Sequence, residues 1–179
     1  MKVAFLDRDG IINKDAGYTY KINDFELIDG CIDALKIFQE NDYKIIIVTN
    51  QSGIGRGYYS EADYQKLTRW YRRQLLDQGI TITDIFHCPH APASLCDCRK
   101  PREGLFLQAA QKYAVDFSNS LMVGDKISDL QAGHAAGVSR LILINNGPNK
   151  SIAEDVFVAA GLPKTIEQYA SVIELSKNC

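Results

Sequence analysis

A chain of 179 residues with 46% hydrophobic side chains is long enough for one domain of ordinary size and has the material for a single core. Its net charge of −2 at pH 7 offers no basic face that would hold nucleic acid by counterion release, so a small metabolite is the expected partner. The one early apolar run, Val3 to Leu6, stops at Asp7; that is too short for a signal peptide, no later stretch would span a bilayer, and the chain is expected in the cytoplasm.

Val3 to Leu6 reads as a first short strand. Gly30 to Glu40 carries Ile32, Leu35 and Phe38 at helical spacing, and Lys44 to Val48 is a second strand. Ser60 caps a long helix in which Ala62, Leu67, Trp70 and Leu75 are expected to point inward. Ile82 to Phe86 is a weaker strand. Helical segments at Gln108 to Ala114 and Asp129 to Gly137 flank a strand at Ser120 to Val123; another strand follows at Arg140 to Ile144, and Lys164 to Leu175 reads as a last helix. Strands alternating with helices imply an α/β fold, a doubly wound, Rossmann-like parallel sheet with crossover helices. With no repeat, low-complexity segment or linker in between, one domain over residues 1–179 is expected, as a monomer.

In such a sheet ligands bind outside the carboxyl ends of the strands. Three strands run into polar signatures there: FLDRD, VTNQSG and MVGDKISD. Alternation along an extended chain sends Asp7 and Asp9 to the same side, where their charges repel unless a cation neutralises them. Mg²⁺ takes oxygen ligands and is held by one or two carboxylates together with a substrate phosphate, which suits Asp7, Asp9 and Asp125 and makes a phosphate ester the expected substrate. GIGRG at 53 to 57 imitates a dinucleotide fingerprint, but Tyr58 stands where its last glycine belongs; these glycines instead let the backbone turn sharply near a ligand.

CPHAPASLCDC, at 88 to 98, places Cys88, His90, Cys96 and Cys98 in a C-x-H-x5-C-x-C pattern, four ligands of the kind that close a tetrahedral Zn²⁺ site. A loop with two prolines has no period that would bury all four as core. With every corner filled by protein the metal would be structural, and it would pin the loop that delivers Arg99 and Lys100. Cys31 and Cys179 are read as incidental, Trp70 as core, and His87 and His134 as non-catalytic.

The ordered set Asp7-x-Asp9-Gly, Thr49-Asn50, Lys100 and Gly124-Asp125 resembles the haloacid dehalogenase superfamily of aspartate-nucleophile phosphatases over nearly the whole chain. That resemblance implies Asp7 as nucleophile, Asp9 as acid and base, Thr49 and Lys100 as holders of the phosphoryl oxygens, Asp125 as a metal carboxylate and Asp129 as its support. One position departs: the family usually has Thr two residues after the second acid, and here it is Ile11. The zinc loop running into CDCRKP resembles the histidinol-phosphatase-like branch. DRDGIIN, DAGY, TNQSGIGRG and MVGDKISD favour its heptose bisphosphate phosphatases over its histidinol-phosphate phosphatases. The implied reaction is removal of the C7 phosphate, leaving heptose 1-phosphate for surface polysaccharide precursors. By the same resemblance Asp15, Ala16, Gly17 and Tyr18 would contact the sugar, Asn50, Gln51 and Ser52 would line the phosphate pocket, Arg99 would take the remote phosphate, and Lys126 would touch substrate.

Adjacent side chains on an extended segment diverge, so Lys100 can hold one phosphate while Arg99 forks toward a second anion, which histidinol phosphate lacks. The segments between signatures are too short for an inserted cap domain. A histidinol-phosphate phosphatase and a non-enzymatic phospho-acceptor remain the alternative readings; Asp9 argues against the latter, since an acid that activates water would erase a phospho-signal.

Overall fold

Strand β1 (Val3–Leu6) is buried at all four positions, the signature of a central strand covered on both faces. After it come α1 (Cys31–Glu40), β2 (Lys44–Asn50), α2 (Ser52–Gly55), α3 (Glu61–Asp77), β3 (Ile82–Cys88) and α4 (Gly104–Lys112). The chain continues through β4 (Leu121–Gly124), α5 (Ile127–Ala135), β5 (Arg140–Ile144), α6 (Glu154–Ala159), β6 (Glu167–Tyr169) and α7 (Val172–Asn178). This computed structural model describes residues 1–147 and 151–178; Cys179 lies outside the described residues.

The six strands form one sheet in the order β3-β2-β1-β4-β5-β6, parallel at every pairing. Period-two alternation divides the core. Ala4, Leu6, Ile45 and Ile47 face α1, α3 and α7 through Leu35, Phe38, Leu67, Leu75 and Leu175. Val3, Phe5, Ile46 and Val48 face α4, α5 and α6 through Phe106, Leu130 and Phe157. Between β1 and β4 the strand order reverses, and the crevice at their carboxyl ends is where such a sheet binds ligands. Asp7 N–H donates to the Val123 carbonyl at 3.0 Å, tying the start of the FLDRD turn to β4.

Two expectations need correction. Lys164 to Leu175 is not one helix: Glu167–Tyr169 pairs with Ile142–Ile144 as an edge strand, and only Val172–Asn178 is helical. The strand is three residues long and half-buried, too brief to show a period. Ser60 does cap α3, its Oγ accepting from Asp63 N–H at 3.1 Å while the Asp63 carboxylate accepts from Ser60 N–H at 2.9 Å. Ala62, however, is exposed in the first turn, and Tyr64, Leu67, Thr68, Tyr71 and Leu75 form the inner face. Trp70 is half-buried, edge-on to Phe25 at 5.7 Å. Cys31 is buried and its thiol is pushed up to about 12 by that burial, in keeping with an inert packing role.

Between the strands lie short loops, turns and crossover helices, and no further folded unit is inserted among the described residues. The edge above β1 and β4 is therefore an open cleft.

Candidate active site

Asp7 follows β1, Asp125 follows β4 and Asp129 lies in the first turn of α5; one carboxylate oxygen from each falls within 4.8 Å of the others. Gly10 makes room for this. A Cβ there would stand 2.3 Å from Asp125 Oδ2, and its φ of +88° is one that L side chains rarely adopt. Lys100 Nζ enters from the far side, 2.9 Å from Asp7 Oδ1 and 2.7 Å from Asp129 Oδ1, and donates to the Val48 carbonyl at 2.8 Å. Burial works against its charge, but Asp129 and Asp7 outweigh burial and its pKa is raised.

Three clustered carboxylates, two of them buried, exceed what one lysine neutralises. Asp7 Oδ1 has Lys100 as its cation, and Asp125 Oδ1 is buried with no hydrogen-bond partner. Lys126 Nζ lies 3.6 Å from Asp125 Oδ1, and burial still pushes the Asp125 carboxyl up to about 7. An unpartnered oxygen among clustered carboxylates suits a hard divalent cation, which would supply the charge the site lacks.

Asp9 departs from the expected metal set. The strand ends at Leu6, so alternation no longer governs position 9, and its carboxylate turns to three other donors: Arg8 Nη2 at 2.9 Å to both oxygens, Asn13 Nδ2 at 3.0 Å and Gln51 Nε2 at 3.0 Å. The third carboxylate of the cluster is Asp129, expected only as support.

A cleft of about 510 Å³ opens above these groups. Asp7, Asp9, Asp15, Gly17, Tyr18, Asn50, Gln51, Ser52, Arg99, Lys100 and Lys126 all line it; Ala16, expected beside them, is exposed and does not. Thr49 is buried, its hydroxyl accepting from Gln51 Nε2 at 2.9 Å. Asn50 serves as a clasp as well as a wall, accepting from Lys100 N–H and donating to the Lys100 carbonyl, both at 3.1 Å. Lys126 Nζ reaches Asp15 Oδ2 at 3.2 Å across the rim. Arg99 lines the cleft, and its Nη1 is buried with no hydrogen-bond partner.

Cys88, His90, Cys96 and Cys98 converge as a second group, each offering a ligand atom within 4.8 Å of the rest. Cys88 Sγ lies 3.7 Å from Cys96 Sγ and 3.5 Å from His90 Nδ1, and His90 Nδ1 lies 3.3 Å from Cys98 Sγ. Tetrahedral zinc would set roughly 3.8 Å between sulfurs and roughly 3.6 Å between sulfur and nitrogen. The loop seats on α4 through Gly104, where a Cβ would fall 2.3 Å from the Asp97 carbonyl oxygen.

Arg8, Asn13 and Tyr59 were not anticipated. Arg8 is fully buried although it sits between two candidate catalytic acids, and a charged residue wedged into a motif turn is the signal that could have marked it. Asn13 closes the DRDGIIN string without a role assigned to it, and Tyr59 belongs to no pattern.

Residues 3–137 match the model of the haloacid dehalogenase-like hydrolases. The chain is 49% identical over 170 residues to a D-glycero-alpha-D-manno-heptose-1,7-bisphosphate 7-phosphatase of Photorhabdus laumondii, covering 90% of this chain and 93% of that protein. It is 46% identical over 153 residues to a D-glycero-beta-D-manno-heptose-1,7-bisphosphate 7-phosphatase of Haemophilus ducreyi, covering 82% and 84%. The crystal structure of D,D-heptose 1,7-bisphosphate phosphatase from B. bronchiseptica, complexed with magnesium and phosphate, superposes with a TM-score of 0.84 at 30% identity, covering 99% of this chain and 97% of that one. Carboxylates gathered at the β1–β4 switch point, a buried lysine between them and a family match over most of the sequence agree: the chain belongs to the haloacid dehalogenase-like hydrolases.

Proposed function

We propose that this chain is a Mg²⁺-dependent phosphatase that hydrolyses the C7 phosphate of D-glycero-D-manno-heptose 1,7-bisphosphate to heptose 1-phosphate, in the making of nucleotide-activated heptose. One observation carries the substrate: the cleft that holds Asp7, Asp129 and Lys100 is also lined by Arg99, a second cation on the residue next to Lys100, so two anions can be bound at once. Named relatives that act on heptose bisphosphates, in both anomeric series, support it.

In the first step an Asp7 oxygen attacks the C7 phosphorus, the bond to the sugar oxygen breaks, and Asp9 gives that oxygen its proton. In the second, Asp9 takes a proton from water as the water oxygen attacks the phosphorus; the Asp7–phosphorus bond breaks, releasing inorganic phosphate and restoring both carboxyl groups. Lys100, already lodged against Asp7, stays beside the equatorial oxygens through both steps. Asp7, Asp125 and Asp129 would hold the Mg²⁺, which neutralises phosphoryl charge when bound. Asp15, Gly17, Tyr18, Ser52 and Lys126 wall the sugar, with no cap to close over it. Zn²⁺ on Cys88, His90, Cys96 and Cys98 fixes the loop that ends in Arg99 and Lys100. A cytoplasmic monomer belongs to the same reading.

Phosphate release from the α and β anomers of heptose 1,7-bisphosphate and from histidinol phosphate, with Asp7→Asn as blank, tests it. Selective release from a heptose anomer, lost in the blank, is expected. Preference for histidinol phosphate, or equal release by the blank, overturns the substrate.

A further inference from the structure

Asp9 is asked to move a proton twice, and its carboxylate is held more tightly than a mobile acid on a turn would be. Its donors Arg8, Asn13 and Gln51 are all buried, and each is itself tethered. Arg8 Nη2 also donates to the Thr19 carbonyl at 2.8 Å, Asn13 Nδ2 to the Lys14 carbonyl at 2.8 Å, and Gln51 Nε2 to Thr49 Oγ1 at 2.9 Å.

Gln51 is the adjustable member. A carboxamide turned over would set Oε1 against the Asp9 carboxylate, oxygen to oxygen. The acceptor-only Asp9 carboxylate sets the sense of the amide, and Tyr59 anchors its other end: the hydroxyl donates to Gln51 Oε1 at 2.7 Å while Nε2 faces Asp9. The Tyr59 ring stacks on Tyr20 at 4.9 Å with planes 10° apart, and burial pushes its hydroxyl up to about 12, so it remains a donor at neutral pH.

We propose that Tyr59 is a positioning residue for Asp9: by fixing the Gln51 carboxamide it completes the Arg8–Asn13–Gln51 clamp that holds the proton-transferring carboxylate. This rests on Asp9 being the acid and base of the reading above. Bracing of the loop between α2 and α3 is the competing role, and the two separate because only the first acts through Asp9.

Tyr59→Phe removes one hydroxyl and keeps the ring. On heptose bisphosphate its kcat should fall about tenfold with KM within about twofold of wild type. In the pre-steady-state burst from p-nitrophenyl phosphate, whose leaving group departs without a proton, the loss should be under about twofold. In an Asp9→Asn background Tyr59→Phe should change that burst no further. Equal losses on both esters, a raised KM alone, or an added loss in the Asp9→Asn background would overturn the clamp.

The ¹³C resonance of the Asp9 carboxyl and the side-chain amide resonances of Gln51 should both move in Tyr59→Phe, independently of substrate. Unmoved resonances overturn the proposal. Wild type that releases p-nitrophenolate in an Asp7-dependent way but leaves heptose bisphosphate intact would sink the substrate alone, with the spectra still deciding on Tyr59.

Discussion

The carboxylate cluster and the cysteine–histidine cluster both gather metal-type ligands within 4.8 Å, yet they are built in opposite ways. Asp7 and Asp125 follow two strands and Asp129 opens the helix after the second; they meet only because β1 and β4 are neighbours, and leave Asp125 Oδ1 unpartnered beside a cleft that Asp7 and Asp129 line. Cys88, His90, Cys96 and Cys98 come from one strand end and its loop, with ligand spacings close to the edges of a zinc tetrahedron. An open set of oxygens can share its cation with a phosphate; a filled set of sulfur and nitrogen has no corner for substrate. On the proposed reading, similar density of ligands serves chemistry in the first case and bracing in the second.

Asp7→Asn should sharpen this division most. Turnover is expected to fall by roughly 10³-fold or more while thermal stability holds, since removing one of three crowded carboxylates relieves repulsion. A phosphate-release assay with a melting curve checks both halves, and retained turnover would break the assignment of the first cluster.

Next is zinc. One zinc per chain is expected by elemental analysis, and Cys98→Ala or a strong chelator should release it and lower Tm by on the order of 10 °C. A metal content of zero with unchanged Tm would remove the bracing role. Arg99→Ala should come third, raising KM for the bisphosphate about tenfold and leaving that for a sugar monophosphate within about twofold. Equal effects on the two substrates would mean that Arg99 holds no second anion.

The smallest effect serves as a control far from both clusters. Arg140, with Nε 2.6 Å from Glu167 Oε1, holds the Glu167 carboxyl below the usual range. A lowered carboxyl contributes stability that is present above its unfolded pKa, roughly 4.3, and is lost as pH falls through the folded value. The pair is more than a third exposed on both sides, so Glu167→Gln should cost no more than about 1 kcal/mol at pH 7 and nothing once both forms are protonated. Denaturant melts at pH 7 and pH 3 read the difference.

How legible each part was depends on the range of the interactions that make it. Strands β1, β2, β4 and β5 are legible because a central parallel strand is apolar at nearly every position; β3, at one edge, is half-buried and reads more weakly, and β6, three half-buried residues at the other edge, has no period to read. Asp7 and Asp9 line the same cleft, but the extended chain ends at Leu6, and the Asp9 carboxylate sits among Arg8, Asn13 and Gln51 rather than in the carboxylate cluster. Ala62 was assigned to the inner face of α3 one turn too early; the capping box points the first turn at solvent.

By itself, the sequence determined the alternation of strands and helices, the order of acid, hydroxyl and lysine signatures, and four zinc-type ligands spaced within one loop, since all of these are written in local spacing. Only the tertiary structure decided that Asp129 rather than Asp9 joins the carboxylate cluster, that Asn50 clasps the Lys100 backbone, and that Arg8, Asn13 and Gln51 hold Asp9, with Tyr59 behind Gln51. The physical reason is reach: a side-chain hydrogen bond spans about 3 Å in space whatever the distance along the chain, and no spacing rule foretells which donor the packed fold brings to a carboxylate.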